Sequence, residues 1–223
     1  MSFSQEWEET YKKKLHQSIW PWSDLISYVM RYSRPTRRDF RVLELGCGAG
    51  ANIPFFKKLG AQYFGIDGSR SVIKMLKRRF PDLRNNLIVG DFTKKIPFRG
   101  KFNLVVDRAS LTHNTTKVII ECVNRLILPK IKVGGKFIGI DWYSTEHDDY
   151  KCAGKNKIDK YSASNYTEGQ FGGLGVVHFA DQKIIKKIFK KFKFELVEHK
   201  IYKRIIPAKH TAASWNFIAV KKG

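Results

Sequence analysis

The chain has 223 residues, 43% of them hydrophobic and 13% aromatic, which suits one folded domain with a sizeable core and excludes a disordered chain. Its formal net charge of +22 fits either an anionic partner or a solvated lysine-rich surface, and decides no chemistry by itself. No apolar run is long enough to cross a bilayer and the first residues are too polar for a secretory signal, so a cytoplasmic location without membrane insertion is expected.

Residues 4–16 read as a polar amphipathic helix, broken at Ile19-Trp20-Pro21-Trp22. Ser23 then offers an N-cap oxygen to a second helix ending near Tyr32. The turn SRPTRRDF leads into the core, so residues 1–38 are expected to form an N-terminal helical lid. From Arg41 strands and helices alternate: strand 42–45, helix 50–59, strand 63–66 and a helix 70–80 that Pro81 stops. Strands 87–89 and 102–106 follow, then a helix over about 114–128, a Gly134-Gly135 turn and strand 136–140. Residues 142–178, rich in Tyr, Ser, Gly and Asp, are too long for an ordinary connection and read as a lid or binding insertion. His178-Phe179 is expected to begin a helix as that insertion's hinge, with a basic helix at 181–191 and a final strand pair at 192–202 and 214–220. The pattern predicts a single α/β domain over 1–223. Its core would be a Rossmann-like, seven-stranded, mostly parallel sheet with helices on both faces and an antiparallel C-terminal strand. The three cysteines, Cys47, Cys122 and Cys152, have no CxxC spacing and read as reduced thiols.

The chemistry concentrates at strand ends. Glu44-Leu45-Gly46-Cys47-Gly48-Ala49-Gly50 joins a strand to a helix, where glycines let the backbone turn and approach a ligand closely. Gly46-x-Gly48-x-x-Ala51 also satisfies a relaxed dinucleotide fingerprint, so a nicotinamide cofactor is a competing reading. Asp67 ends the second strand, where a carboxylate accepts both ribose hydroxyls. Asp91 and Phe92 end the third, where they suit an adenine amine and ring. Glu44 stands where it can help hold an ammonium group. Ribose, adenine and an amino acid end describe an adenosyl amino acid better than a pyrophosphate.

The ordered set VLELGCGAG, FGID, VGDF and FNLVVDRASLTHN, followed by GGKFIGIDW, resembles the class I S-adenosylmethionine-dependent methyltransferases over about residues 40–142. The resemblance implies S-adenosyl-L-methionine as cofactor and S-adenosyl-L-homocysteine as product. It implies that Gly46, Gly48 and Gly50, with Cys47 among them, lie along methionine and ribose, that Asp67 binds ribose, and that Asp91 and Phe92 frame adenine. Asp107 would sit beside the sulfonium and the methyl acceptor. The stretch Asp107-Arg108-Ala109-Ser110-Leu111 also resembles thiopurine-type small-molecule methyltransferases. Trp22, with Trp20 and Tyr11, either lines the cofactor or acceptor pocket under a closing N-terminal helix or packs that helix on the domain.

Methyl transfer is an in-line displacement, so positioning and water exclusion carry much of the catalysis, and a base is needed only where the acceptor must lose a proton. His113 is a candidate base or acceptor ligand, or else a helix-start histidine bonded to backbone. Asp141 and His147 are the other catalytic candidates. The run Glu146-His147-Asp148-Asp149 contains the oxygen donors of a magnesium or calcium site, but one local run on a loop reads as solvated turn or as partners for a polyhydroxylated acceptor, and no metal is expected. The expected activity is methylation of O or N on a small molecule, anionic or sugar-like; Asp-Trp-Tyr-Ser is similar to a stretch in methyltransferases of bacterial sugar and surface-glycan pathways. The alternatives are an RNA methyltransferase gripping phosphates through Lys183, Lys186, Lys187, Lys190, Lys191 and Lys193, and a non-catalytic S-adenosylmethionine-binding protein. The RNA reading lacks an Asn-Pro-Pro-Tyr or Asp-Pro-Pro-Tyr segment after the fourth strand and any Pro-Cys pair.

Overall fold

Central strands buried on both faces set the architecture of the computed structural model, which describes residues 5–12, 18–35 and 39–223. The outer parts of the expected first helix (4 and 13–16) and the middle of the expected linking turn (36–38) lie outside the described residues. Strands β1 (Arg41–Leu45), β2 (Gln62–Asp67), β3 (Leu87–Val89), β4 (Phe102–Arg108) and β5 (Ile131–Tyr143) run parallel. The hairpin of β8 (Phe192–Arg204) and β9 (His210–Lys221) completes the sheet, with β9 antiparallel to β5. Strand order is β3-β2-β1-β4-β5-β9-β8, the expected Rossmann-like, seven-stranded, mostly parallel sheet.

Successive residues feed two cores. Val42, Leu104, Val106, Ile138 and Ile218 face one side of the sheet, and Leu43, Leu45, Val105, Phe137, Phe217 and Ala219 the other. Helices α2 (Ser23–Tyr28), α3 (Ile53–Lys58) and α4 (Arg70–Arg79) cover the first side with Leu25, Phe56 and Leu76. Helices α5 (Thr116–Glu121) and α8 (Gln182–Ile188) cover the second with Ile119, Ile184 and Ile188. Each fully buried aromatic there, such as Phe137, Phe189 or Phe217, contributes roughly 1.5–3 kcal/mol. Helix α1 (Gln5–Lys12) lies against α4, where Glu8 Oε1 accepts from the Ser71 amide at 3.3 Å. No helix among the described residues is long and apolar enough to cross a membrane.

Several elements depart from the expected bounds. The helix expected at 50–59 starts at Ile53, because the backbone is still turning at Gly46, Gly48 and Gly50, all with positive φ. The helix expected at 114–128 starts at Thr116, widens into a π segment at Cys122–Ile127 and ends as the single turn α6 (Leu128–Lys130). β5 begins at Ile131 rather than 136, and a register shift against β4 absorbs the glycine pair. The 142–178 stretch is not an open loop. It holds α7 (Asp148–Lys151) and the two-stranded sheet of β6 (Ser162–Ala163) and β7 (Val177–His178) around its own core of Phe171, Val177 and Phe179. His178 therefore ends a strand and begins no helix; α8 starts after Asp181, whose Oδ1 accepts from the Ile184 amide at 2.7 Å. Replacing that N-cap, Asp181→Ala, should lower urea stability by about 1 kcal/mol. An unchanged urea midpoint would show that the cap contributes nothing.

Candidate active site

A cleft of about 610 Å³ opens at the C-terminal edge of the parallel strands, astride the point where strand order reverses between β1 and β4. Its floor is the bend after β1. Gly46 has φ +61° and a Cβ there would fall 2.4 Å from Ser110 Cβ; at Gly48, φ +48°, it would fall 2.9 Å from the Tyr11 hydroxyl. Both positions thus require glycine. Cys47 also lines the cleft, and burial pushes its thiol well above the ordinary range. Gly50 does not line it; its missing Cβ makes room for Leu76 and Ile53, so this glycine serves packing rather than the expected ligand contact.

Three carboxylates stand at the strand tips. Asp67 Oδ2 accepts from the Gly48 amide and Oδ1 from the Ser69 amide, each at 2.9 Å. Burial raises the Asp67 pKa, and these two amides pull it back. Glu44 accepts from Asn52 Nδ2 at 2.7 Å and from the Tyr63 hydroxyl at 2.6 Å, while burial raises it to about 7. Asn52 Oδ1 in turn accepts from the Trp22 amide at 3.4 Å, which ties the N-terminal segment to the floor. Asp91 Oδ1 accepts from the Thr93 amide at 2.9 Å and its hydroxyl at 2.6 Å, and Gly90, Asp91 and Phe92 all line the cleft.

Asp107 departs from its expected role. It is fully buried, is absent from the lining, and holds the turn after β4 together: Oδ1 accepts from the Leu111 amide at 2.9 Å and contacts the Ser110 hydroxyl, and Oδ2 accepts from Trp142 Nε1 at 2.7 Å. Burial raises its pKa to about 6. The next residue faces the cleft instead. Arg108 lies 3.4 Å over the Trp22 ring and pairs with Asp141 at 2.9 Å. Asp141 sits at φ +53°, held there by that pair and by Asn216 Oδ1, which accepts from its amide at 2.8 Å.

His113 lines the cleft edge-on to Trp7 (5.1 Å) and Tyr143 (6.1 Å). Burial lowers its pKa to about 4, a bond to the Val176 backbone opposing, and Nδ1 is shut off without a hydrogen-bond partner. The ring is therefore neutral at physiological pH. His147 reaches the same cleft from the N-cap of α7, its pKa lowered mainly by burial. Trp7, Tyr11, Asn52, Arg108 and Tyr202 also line the cleft. Arg108 was next to a predicted residue, but Trp7, Asn52 and Tyr202 carry no motif that marks them.

Residues 42–130 match the protein family described as methyltransferase domain. The match covers 89 of the 223 residues. No curated protein matches the chain. Among solved structures, an S-adenosylmethionine-dependent methyltransferase from Methanosarcina mazei is 16% identical, with 91% of this chain and 99% of that one covered and a TM-score of 0.67. One from Anabaena variabilis is 12% identical over 99% and 94% of the two chains, TM-score 0.67. A magnesium protoporphyrin IX methyltransferase from Synechocystis, solved with bound S-adenosylmethionine, is 14% identical over 89% and 77%, TM-score 0.55. The whole-chain fold is the one these structures share.

The cleft fits that cofactor in size, within the roughly 300–1,000 Å³ usual for small-molecule sites, and in charge. Glu44, Asp67, Asp91 and Asp141 line it, and Arg108 is the one lysine or arginine among the described lining residues. That set suits a sulfonium and an ammonium and repels the pyrophosphate of a dinucleotide. Glu44 also gives the protein a pH signature. Its folded pKa of about 7 exceeds the ordinary 4.5, so its contribution is fully present below pH 4.5 and is lost as pH rises through 7. The melting temperature of the unliganded protein, compared with Glu44→Gln, should fall between pH 5 and 8. Parallel pH profiles for the two proteins would contradict the assignment.

Proposed function

We propose that the chain transfers a methyl group from S-adenosylmethionine to an oxygen or nitrogen of a small acceptor. The observation that carries this reading is the acidic, small-molecule-sized cleft at the strand tips of a protein whose net charge is +22. Asp67 would hold the ribose hydroxyls through its remaining lone pairs, Asp91 and Phe92 the adenine, and Glu44 with the Gly46–Gly48 bend the amino acid end. When bound, the cofactor supplies an electrophilic methyl on a positively charged sulfur. Trp7, Tyr11 and Trp22, all on the N-terminal segments, close over the floor and exclude water, in the role of a lid.

His113, neutral and lining the cleft between Trp7 and Tyr143, is suited to pack against the acceptor and so orient it. Asp141 and His147, with Gln170 and Leu174 from the 142–178 insertion, form the acceptor wall. The likeness of Asp107–Leu111 to thiopurine-type enzymes supports a small acceptor, as does the scarcity of cations in the cleft, which is a poor host for an RNA backbone.

Isothermal titration with S-adenosylhomocysteine should show one equivalent bound and none of NAD. Asp67→Ala should weaken that binding by about 1–3 kcal/mol, the cost of a lost charge-assisted hydrogen bond. Undiminished affinity in a folded variant would remove Asp67 from the cofactor site.

A further inference from the structure

We propose that His147, Asp149 and His210 form a binding site for a divalent transition metal on the acceptor side of the cleft. The run 146–149 is unremarkable as sequence; the third member comes from the far end of the chain. His210 opens β9, and the next residue is pinned to α7, because Asp148 Oδ2 accepts from the Thr211 amide at 2.6 Å. The His147 and His210 rings then meet edge to face with centroids 5.2 Å apart. One donor atom from each of the three residues lies within 4.8 Å of the other two, and His147 Nδ1 is 3.6 Å from Asp149 Oδ2. Donors on a tetrahedral zinc stand about 3.4 Å apart at bond lengths of about 2.1 Å, so modest side-chain rotation closes the set.

A second observation points to a missing ligand. His147 is only 2% exposed, and its Nε2 and Asp149 Oδ2 are both shut off from solvent without a hydrogen-bond partner. A desolvated carboxylate oxygen and ring nitrogen without partners are costly. Among the described residues no lysine or arginine lies within 4 Å of Asp149; Lys151 pairs with Asp148 instead. Phe171 and Phe179 pack on the His147 ring at 5.3 and 6.0 Å and supply an apolar shell.

Two imidazoles and one carboxylate select zinc, iron or cobalt over the all-oxygen coordination of magnesium and calcium. The His147 Nδ1 now accepts from the Asp149 amide at 3.2 Å. Metal binding needs a lone pair on the liganding His147 nitrogen, so the neutral ring carries its proton on the other one. Three protein ligands leave a coordination position open, and His147 is itself part of the cleft wall beside Gln170. That position suits an oxygen of the acceptor, a role that rests on the methyltransferase reading above; the metal site itself does not.

The test is titration of chelator-treated full-length protein with Zn²⁺ by calorimetry and with Co²⁺ by visible absorption. One equivalent should bind with a dissociation constant in the micromolar range or below, and Co²⁺ should give the intense ligand-field bands of a four- or five-coordinate site. His210→Ala should weaken binding at least about tenfold while leaving the melting temperature and S-adenosylhomocysteine affinity unchanged. Asp149→Ala should weaken it likewise and serves as the second variant if the first misfolds. No uptake, or uptake undiminished in folded variants, overturns the proposal. Protein that binds S-adenosylhomocysteine but no metal loses this inference alone; protein that binds metal but not S-adenosylhomocysteine keeps the site and loses the proposed activity.

Discussion

The Gly48 amide donates to Asp67 Oδ2, and through that bond the glycine bend after β1 is fastened to the tip of β2. The same carboxylate takes the Ser69 amide, and Ser69 caps α4 by accepting from the Val72 amide at 3.2 Å. Helix α1 joins this assembly, with Glu8 on the Ser71 amide and the Tyr11 hydroxyl over Gly48. One buried carboxylate thus relates the floor to the start of α4, on which α1 packs. Burial opposes its charge, and the two amide donors are what make the charged form tenable there. On the other side of the cleft Asp107 does the equivalent for β4 and β5, with Trp142 and the Leu111 amide as donors.

Between these braces lies an interior whose charge opposes that of the surface. A chain with 42 lysines and arginines puts a single arginine among the described residues of its cleft, and pairs that arginine with Asp141. The stacked Trp22, Arg108 and Asp141 link the N-terminal segment to the ends of β4 and β5. The cleft's acidity suits a cationic donor, whereas the basic exterior speaks to solubility and encounter. Net charge alone therefore points away from the character of the cleft.

Strand positions were legible because residues such as Val42-Leu43 and Leu104-Val105 alternate between two apolar faces, and the bend at Gly46–Gly48 because few other residues tolerate it. Asp67, Asp91 and His113 do reach the cleft. Asp107 could not be told apart from them: a carboxylate at a strand end looks the same in sequence whether it faces a ligand or Trp142. Gly50 was equally opaque, since a glycine that admits Leu76 spells like one that admits a ligand. Arg108 had no contrast in so basic a chain. His210 meets His147 only through the β8–β9 hairpin, a long-range contact that no local spacing encodes. The π segment at Cys122–Ile127 likewise keeps the apolar pattern of an ordinary helix.

The account stands on the tips of β1 to β4 holding an adenosyl ligand with its sulfur turned toward His113. A crystal structure of the protein with S-adenosylhomocysteine tests it most directly. The ribose should lie against Asp67, the adenine between Asp91 and Phe92, and the sulfur should open onto the space bounded by His113, Arg108 and His147. A ligand seated elsewhere, or one in this cleft with its ribose away from Asp67, would contradict it.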